Sequence, residues 1–189
     1  MSTITEELRK EIAQYFISDS KEFLFRFDQI QGFQTQISNR SKLMIDLIFS
    51  VECSLKALIF LESNEDERVT YKNIIIHDLK KLMNLVVDRS GLQNLESLLS
   101  EDIEMYNVSS RYTLEANINF RENNSLGKKY YDTIANPVWL DKFYKIAHEV
   151  LKFVESKIYS FEFKTINFSD IDLDREIEKG NRINNISKK

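Results

Sequence analysis

The stretch Ile45–Leu61, IDLIFSVECSLKALIFL, decides how the rest of this chain is read. With Met44 before it, the apolar residues Leu47, Ile48, Val51, Leu55, Leu58 and Ile59 recur every three or four positions, the spacing that gathers side chains along an α-helix. Both sides of that helix are apolar, so the segment reads as a core helix rather than a surface one. It starts after Ser38-Asn39-Arg40-Ser41 and ends at Glu62, giving about 22 residues and roughly 33 Å at 1.5 Å per residue. Asp46, Glu52 and Lys56 interrupt it, and three charges are too costly for a lipid-facing span.

Upstream, Thr3 with Glu6 makes a capping box ahead of Ile4, Leu8, Ile12, Tyr15 and Phe16 at helical spacing. Ser18-Asp19-Ser20 offers a stop and a new cap before Phe23, Phe27 and Ile30, so either one bent helix or two short ones reach Gln31-Gly32. Downstream, residues 64–67 form a polar turn, and the β-branched run Ile74-Ile75-Ile76 is compatible with extended chain or a helix start. His77-Asp78 followed by Leu79, Leu82, Met83 and Val86 predicts a helix with an acid in its first turn, stopped by Gly91. Leu92, Leu95, Leu98, Leu99, Ile103 and Tyr106 predict the next helix, and residues 107–127 a long loop. Asn136-Pro137 is a cap followed by a first-turn proline, and the stripe from Leu140 to Ile158 runs on for six turns. Phe161, Phe163, Ile166 and Phe168 suggest an extended strap, residues 169–178 a short acidic helix, and residues 181–189 a frayed end.

Composition agrees. Four glycines and one proline in 189 residues leave little to interrupt long helices, so the expected class is all-α. The expected organisation is an N-terminal helical extension over 1–37 packed on a bundle of 38–159, then a C-terminal strap and tail over 160–189. Cys53 is the single cysteine, which excludes an intramolecular disulfide and clustered-thiolate zinc and fits a reducing compartment. The N-terminal residues carry no apolar run of signal-peptide type, so the expected location is the cytoplasm, away from membranes. No glycine-rich phosphate loop, HExxH or EF-hand pattern is present, which removes the sequence support for nucleotide hydrolysis and metalloprotease chemistry. Neither cofactor nor metal is expected.

Taken in order, residues 45–61, then Ile76-His77-Asp78-Leu79-Lys80-Lys81-Leu82, then Ser110-Arg111-Tyr112, then a closing helix with Ala147 and Val150 in its middle, resemble the HEPN family of helical bundles. The resemblance spans residues 38–159. It implies an up-and-down bundle of four or five helices that usually dimerises, in metal-independent ribonucleases, toxins, defence components or inactive binding modules. Catalytic members carry Arg, a polar residue, three variable residues and His. Here Arg111 is followed by Tyr112-Thr113-Leu114-Glu115-Ala116, with no His in place. The expectation is therefore a non-catalytic HEPN-like interaction or ligand-binding module, of the kind found in toxin–antitoxin or phage-defence systems. The alternatives are a ribonuclease using Arg111 with a displaced His, and a scaffold that docks a partner through its strap.

The candidate site follows from residue chemistry. Arg111 beside Tyr112 offers a permanently charged fork suited to phosphate or carboxylate. Glu52 lies on an apolar stripe, where a carboxylate needs a partner, Arg111 or Lys56. His77 and His148 are the catalytic candidates beside Arg111, each able to titrate near neutrality, although His77-Asp78 at a helix start also reads as a cap. Cys53 reads as a buried, inert thiol. Arg121, Lys128 and Lys129, interleaved with Phe120, Tyr130 and Tyr131, give the loop a composition that can hold single-stranded RNA, against a net charge of -4. Phe23, Phe25, Phe27 and Phe33 crowd more aromatic surface than one helix face hides, which favours a homodimer or a protein partner.

Overall fold

The structure, a computed structural model, describes residues 4–33, 37–100, 131–159 and 172–188. Among them the secondary structure is helical throughout: α1 (Ile4–Ile30), a 3-10 turn (Gln31–Phe33), α2 (Ile37–Glu62), α3 (Glu67–Asn73), α4 (Leu79–Leu85), α5 (Gln93–Ser100), α6 (Pro137–Tyr159) and α7 (Leu173–Asn185). The protein is all-α. The loop expected at 107–127, with Arg111 and Tyr112, and the strap at 161–168 lie outside the described residues. No helix among those described is long and apolar enough to cross a membrane.

α2 is the central element. Leu43, Met44, Leu47, Ile48, Val51, Leu55, Leu58 and Phe60 are buried around its circumference, as expected of a helix apolar on all sides. It runs for 26 residues, one turn longer than its apolar stripe, because it starts at Ile37 ahead of the serine-rich segment.

α1 is one helix of 27 residues, and Ser18-Asp19-Ser20 does not interrupt it. Ser20 instead lies on the buried face, its Oγ 2.9 Å from the Ser50 carbonyl oxygen and 2.9 Å from both the Ser50 and Ser54 hydroxyls. A serine caps a helix when its hydroxyl has no better partner. Here the neighbouring helix supplies three.

Helix direction follows from the cross-contacts. Phe16 stacks on Phe60, Ser20 meets Ser54 and Ser50, Phe23 meets Phe49, and Arg26 pairs with Asp46. Rising numbers on α1 meet falling numbers on α2, so the two run antiparallel. Lys21 pairs with Glu155, and Phe27 and Asp28 meet Tyr144, so α6 is antiparallel to α1 as well. α6 begins as its sequence predicts: Asn136 Oδ1 accepts from the backbone N–H groups of Val138 and Trp139 at 3.0 and 3.4 Å. Its buried stripe runs Leu140, Phe143, Ile146, Ala147, Val150, Leu151, Val154, Ile158.

The short helices close the other side. α3 is capped by Asp66, which accepts from the Arg68 N–H. The irregular chain after it is turned back into α4 by Asp78, whose carboxylate accepts from the Lys81 N–H at 3.0 Å. Glu62, at the end of α2, takes the N–H groups of Val87 and Asp88 at 2.8 and 3.0 Å, holding the connection that leads to α5. Gly91 does not stop α4, which ends at Leu85. Its hydrogen is needed for another reason: a Cβ there would overlap the Phe153 ring of α6.

α7 extends past the expected acidic segment to Asn185. The end expected to fray is held in place: Arg182 pairs with Glu67, and Arg68 Nη2 donates to the Lys188 carbonyl at 2.7 Å. Asp172 is exposed and caps this helix, its side chain accepting from the Arg175 N–H.

Candidate functional site

The core helix α2 and the start of α4 build the principal cluster. Glu52 and Lys56 lie one turn apart on α2, and the Lys56 ammonium donates to Glu52 Oε1 at 2.7 Å. Of the two partners considered for Glu52, Lys56 is thus engaged. His77 precedes the Asp78 cap, where the backbone is not yet helical, so its side chain turns back to α2. Its Nδ1 lies 3.0 and 3.2 Å from the two Glu52 oxygens. A carboxylate only accepts, so the ring nitrogen facing it carries the proton and donates. The Glu52 side chain is 5% exposed and that of His77 66% exposed, so the ring has one edge fixed to a buried carboxylate and the other open to solvent. Asp78, rather than His77, provides the cap read from this dipeptide.

Such an anchored imidazole is a common element of acid–base sites, where the carboxylate fixes the tautomer and the ring angle. Cys53, next along α2, contributes no nucleophile. Burial, followed by the neighbouring Glu52 and Asp19 charges, pushes its thiol up to about 12, far from the thiolate that reacts.

His148 belongs to a different neighbourhood. On α6, its ring meets Tyr144 edge-on with centroids 4.5 Å apart. Tyr144 donates its hydroxyl to Asp28 of α1 at 2.7 Å and stacks on Phe27. Burial, reinforced by the Asp28 carboxylate, pushes the Tyr144 phenol up to about 12. Burial also lowers the His148 pKa below its ordinary value, against the opposing pull of Asp28. His148 Nε2 is enclosed, with no hydrogen-bond partner among the described residues. Both histidines are therefore placed, one exposed and anchored, one half-buried and favouring the neutral ring. Arg111 and Tyr112 lie outside the described residues.

A charge that the sequence reading weighed only against a membrane span sits in the same core. Asp46 is 1% exposed on α2, with the Arg26 guanidinium 2.8 Å from Oδ1. The approach makes an ion pair without a directed hydrogen bond, and neither carboxylate oxygen finds a donor among the described residues. Burial pushes the Asp46 carboxyl up to about 6, with Arg26 pulling the other way. Its place among Ile45, Leu47 and Ile48 was the available signal: an acid on a helix apolar all round has no solvated side to face.

Among the described residues, no group of three or more His, Cys, Asp or Glu side chains is arranged to hold a metal ion. Comparison with known proteins finds no match for the chain among family models, curated proteins or solved structures. The HEPN resemblance therefore rests on the order and spacing of its own residues.

Proposed function

We propose that this chain is a non-catalytic HEPN-like helical bundle acting as an interaction module, paired with a second copy of itself or with another protein. The observation that carries this reading is the use to which the candidate groups are put. Glu52 is spent on Lys56 and His77, His148 is half-buried against Tyr144, and the Cys53 thiol is held in its protonated form. The Glu52–Lys56 pair is buried in the core and Glu52 ties the start of α4 to α2, as structural polar groups do. Exposed apolar side chains, Phe25 on α1, Val87 before α5 and Val138 on α6 among them, are available for contact with a partner.

A second reading is favoured by one specific feature, the solvent-facing edge of His77. With Glu52 fixing Nδ1, the opposite nitrogen is free to exchange a proton with a ribose hydroxyl or leaving oxygen, and Arg111 would neutralise the phosphate. In this reading the chain is a metal-independent ribonuclease whose His comes from the start of α4.

Labelled single-stranded RNA incubated with the purified protein in EDTA separates the two. The module leaves the RNA intact. Cutting that is abolished by both Arg111→Ala and His77→Ala establishes the nuclease. Light scattering on the same sample reads the pairing, with the mass of two chains expected.

A further inference from the structure

α7 carries Arg175, Lys179 and Arg182 at positions one and two turns apart, a single basic stripe. That stripe lies on an acidic one. Arg175 donates from Nε and Nη2 to the two Glu7 oxygens at 3.0 and 2.8 Å. Lys179 Nζ is 3.9 Å from Glu11, one turn further along α1, and 2.6 Å from Glu176 of its own helix. Arg182 Nε donates to Glu67 of α3 at 2.7 Å, and its Nη2 to the Thr5 hydroxyl at 3.2 Å.

Apolar packing adds little. No residue of α7 is buried, and Leu173 and Ile177 face solvent. Ile186, at the C-cap, packs against the margin of the core. Between α3 and α7 remains a cleft of about 460 Å³ lined by Asp66, Arg68, Ile177, Glu178 and Asn181. Glu67 is 2% exposed and has the Arg182 guanidinium bound to it, so this pair is the most enclosed of the three.

We propose that α7 is a detachable latch, which leaves the acidic face of α1 and α3 as a unit when its ion pairs are screened, while the core of α1, α2 and α6 stays folded. Local opening is drawn from elements with few buried apolar contacts, and α7 is such an element. The Arg175–Glu7 pair is 29% and 32% exposed on its two sides, where salt weakens it, the Debye length falling to about 3 Å at 1 M. Apolar packing of the kind that holds α6 is not weakened in this way. Release bares Glu7, Glu11 and Glu67 together with the basic stripe, so the latch changes the charge pattern of this face of the molecule.

Hydrogen exchange of the full chain, followed by peptide at fixed pH in 20 mM and 1 M sodium chloride, tests the proposal. The α7 amides should exchange at least tenfold faster in high salt, with α2 and α6 unchanged. The double variant Arg175→Gln/Arg182→Gln should show the fast exchange already at low salt. Equal α7 protection at both salt concentrations, or α7 exchange that rises only together with α2 and α6, overturns it. If the variant does not fold, judged by the near-ultraviolet signal of Trp139, the salt comparison on the unaltered chain decides alone.

Discussion

α6 and α7 are both helices started by a side-chain cap, Asn136 for one and Asp172 for the other, yet they are attached by opposite means. α6 buries eight apolar side chains from Leu140 to Ile158, whereas α7 buries none and is held by Arg175, Lys179 and Arg182. The difference in strength follows from magnitudes. A large apolar side chain contributes about 1.5 to 3 kcal/mol when fully buried, while an exposed ion pair contributes about 0 to 1 kcal/mol. Caps and propensity make a segment helical. The apolar groups along its stripe decide whether it belongs to the core.

The strongest way to break this comparison is to remove a core anchor of α6. Phe143 is fully buried and meets Trp139 edge-on with centroids 5.6 Å apart. Phe143→Ala should cost about 3 to 5 kcal/mol, read by urea unfolding followed through circular dichroism. A loss under about 1 kcal/mol would mean that α6 is no better anchored than α7.

Next comes Gly91, whose hydrogen lies against the Phe153 ring. Gly91→Ala must displace that ring from beneath the Lys157 ammonium, now 4.9 Å from its centroid. The expected loss is about 1 to 3 kcal/mol, with Gly91→Ser no milder, measured by thermal unfolding. An unchanged midpoint would show that this edge of α6 yields freely.

Asp46 sharpens the comparison by placing a charge where apolar packing rules. Its carboxyl is raised from the ordinary 3.8 to about 6, so below about pH 4 folded and unfolded chains both hold the proton and ionisation costs nothing. From about pH 4 to about 6 the unfolded chain releases the proton while the folded chain keeps it, so stability falls across that window and levels off above it, where both are ionised. Asp46→Asn should therefore stabilise by about 1 to 2 kcal/mol at pH 7 and by nothing near pH 3.5. Denaturant midpoints at the two pH values check it, and a loss at pH 7 would show that Arg26 outweighs burial.

The smallest expected effect is at α7. Arg175→Gln should lower global stability by under about 1 kcal/mol, since both sides of its pair with Glu7 are already part-exposed. Urea unfolding reads it. A loss of several kcal/mol would show that α7 is part of the cooperative unit.

Legibility in the sequence followed the strength of local signals. α2 and α6 were readable because long apolar stripes at helical spacing leave no competing interpretation, and Asn136-Pro137 and Asp78 marked two starts correctly. Ser18-Asp19-Ser20 left one helix or two open because a serine hydroxyl suits a cap and a helix–helix contact equally, and Ser50 and Ser54 became visible as partners of Ser20 only in space. α3 was missed: seven residues with Val69 and Thr70 inside carry no sustained period. Of the candidate site, the need of Glu52 for a partner was legible and so was Lys56, one turn away on the same helix. His77, 25 residues further on, was recognised as a titratable group without the carboxylate that orients it.

By itself, the sequence determined that this is an all-helical protein, that α2 is central to its core and that α6 begins at Pro137. Helix hydrogen bonds, caps and apolar spacing act over a few residues and are written in the chain locally. Tertiary structure alone decided that α2 and α6 both run antiparallel to α1, that Glu52 anchors His77, that Tyr144 reaches Asp28, and that α7 rests on Glu7 and Glu67. These contacts join residues up to 168 positions apart, and their partners are fixed by how helix faces pack rather than by anything adjacent in the chain.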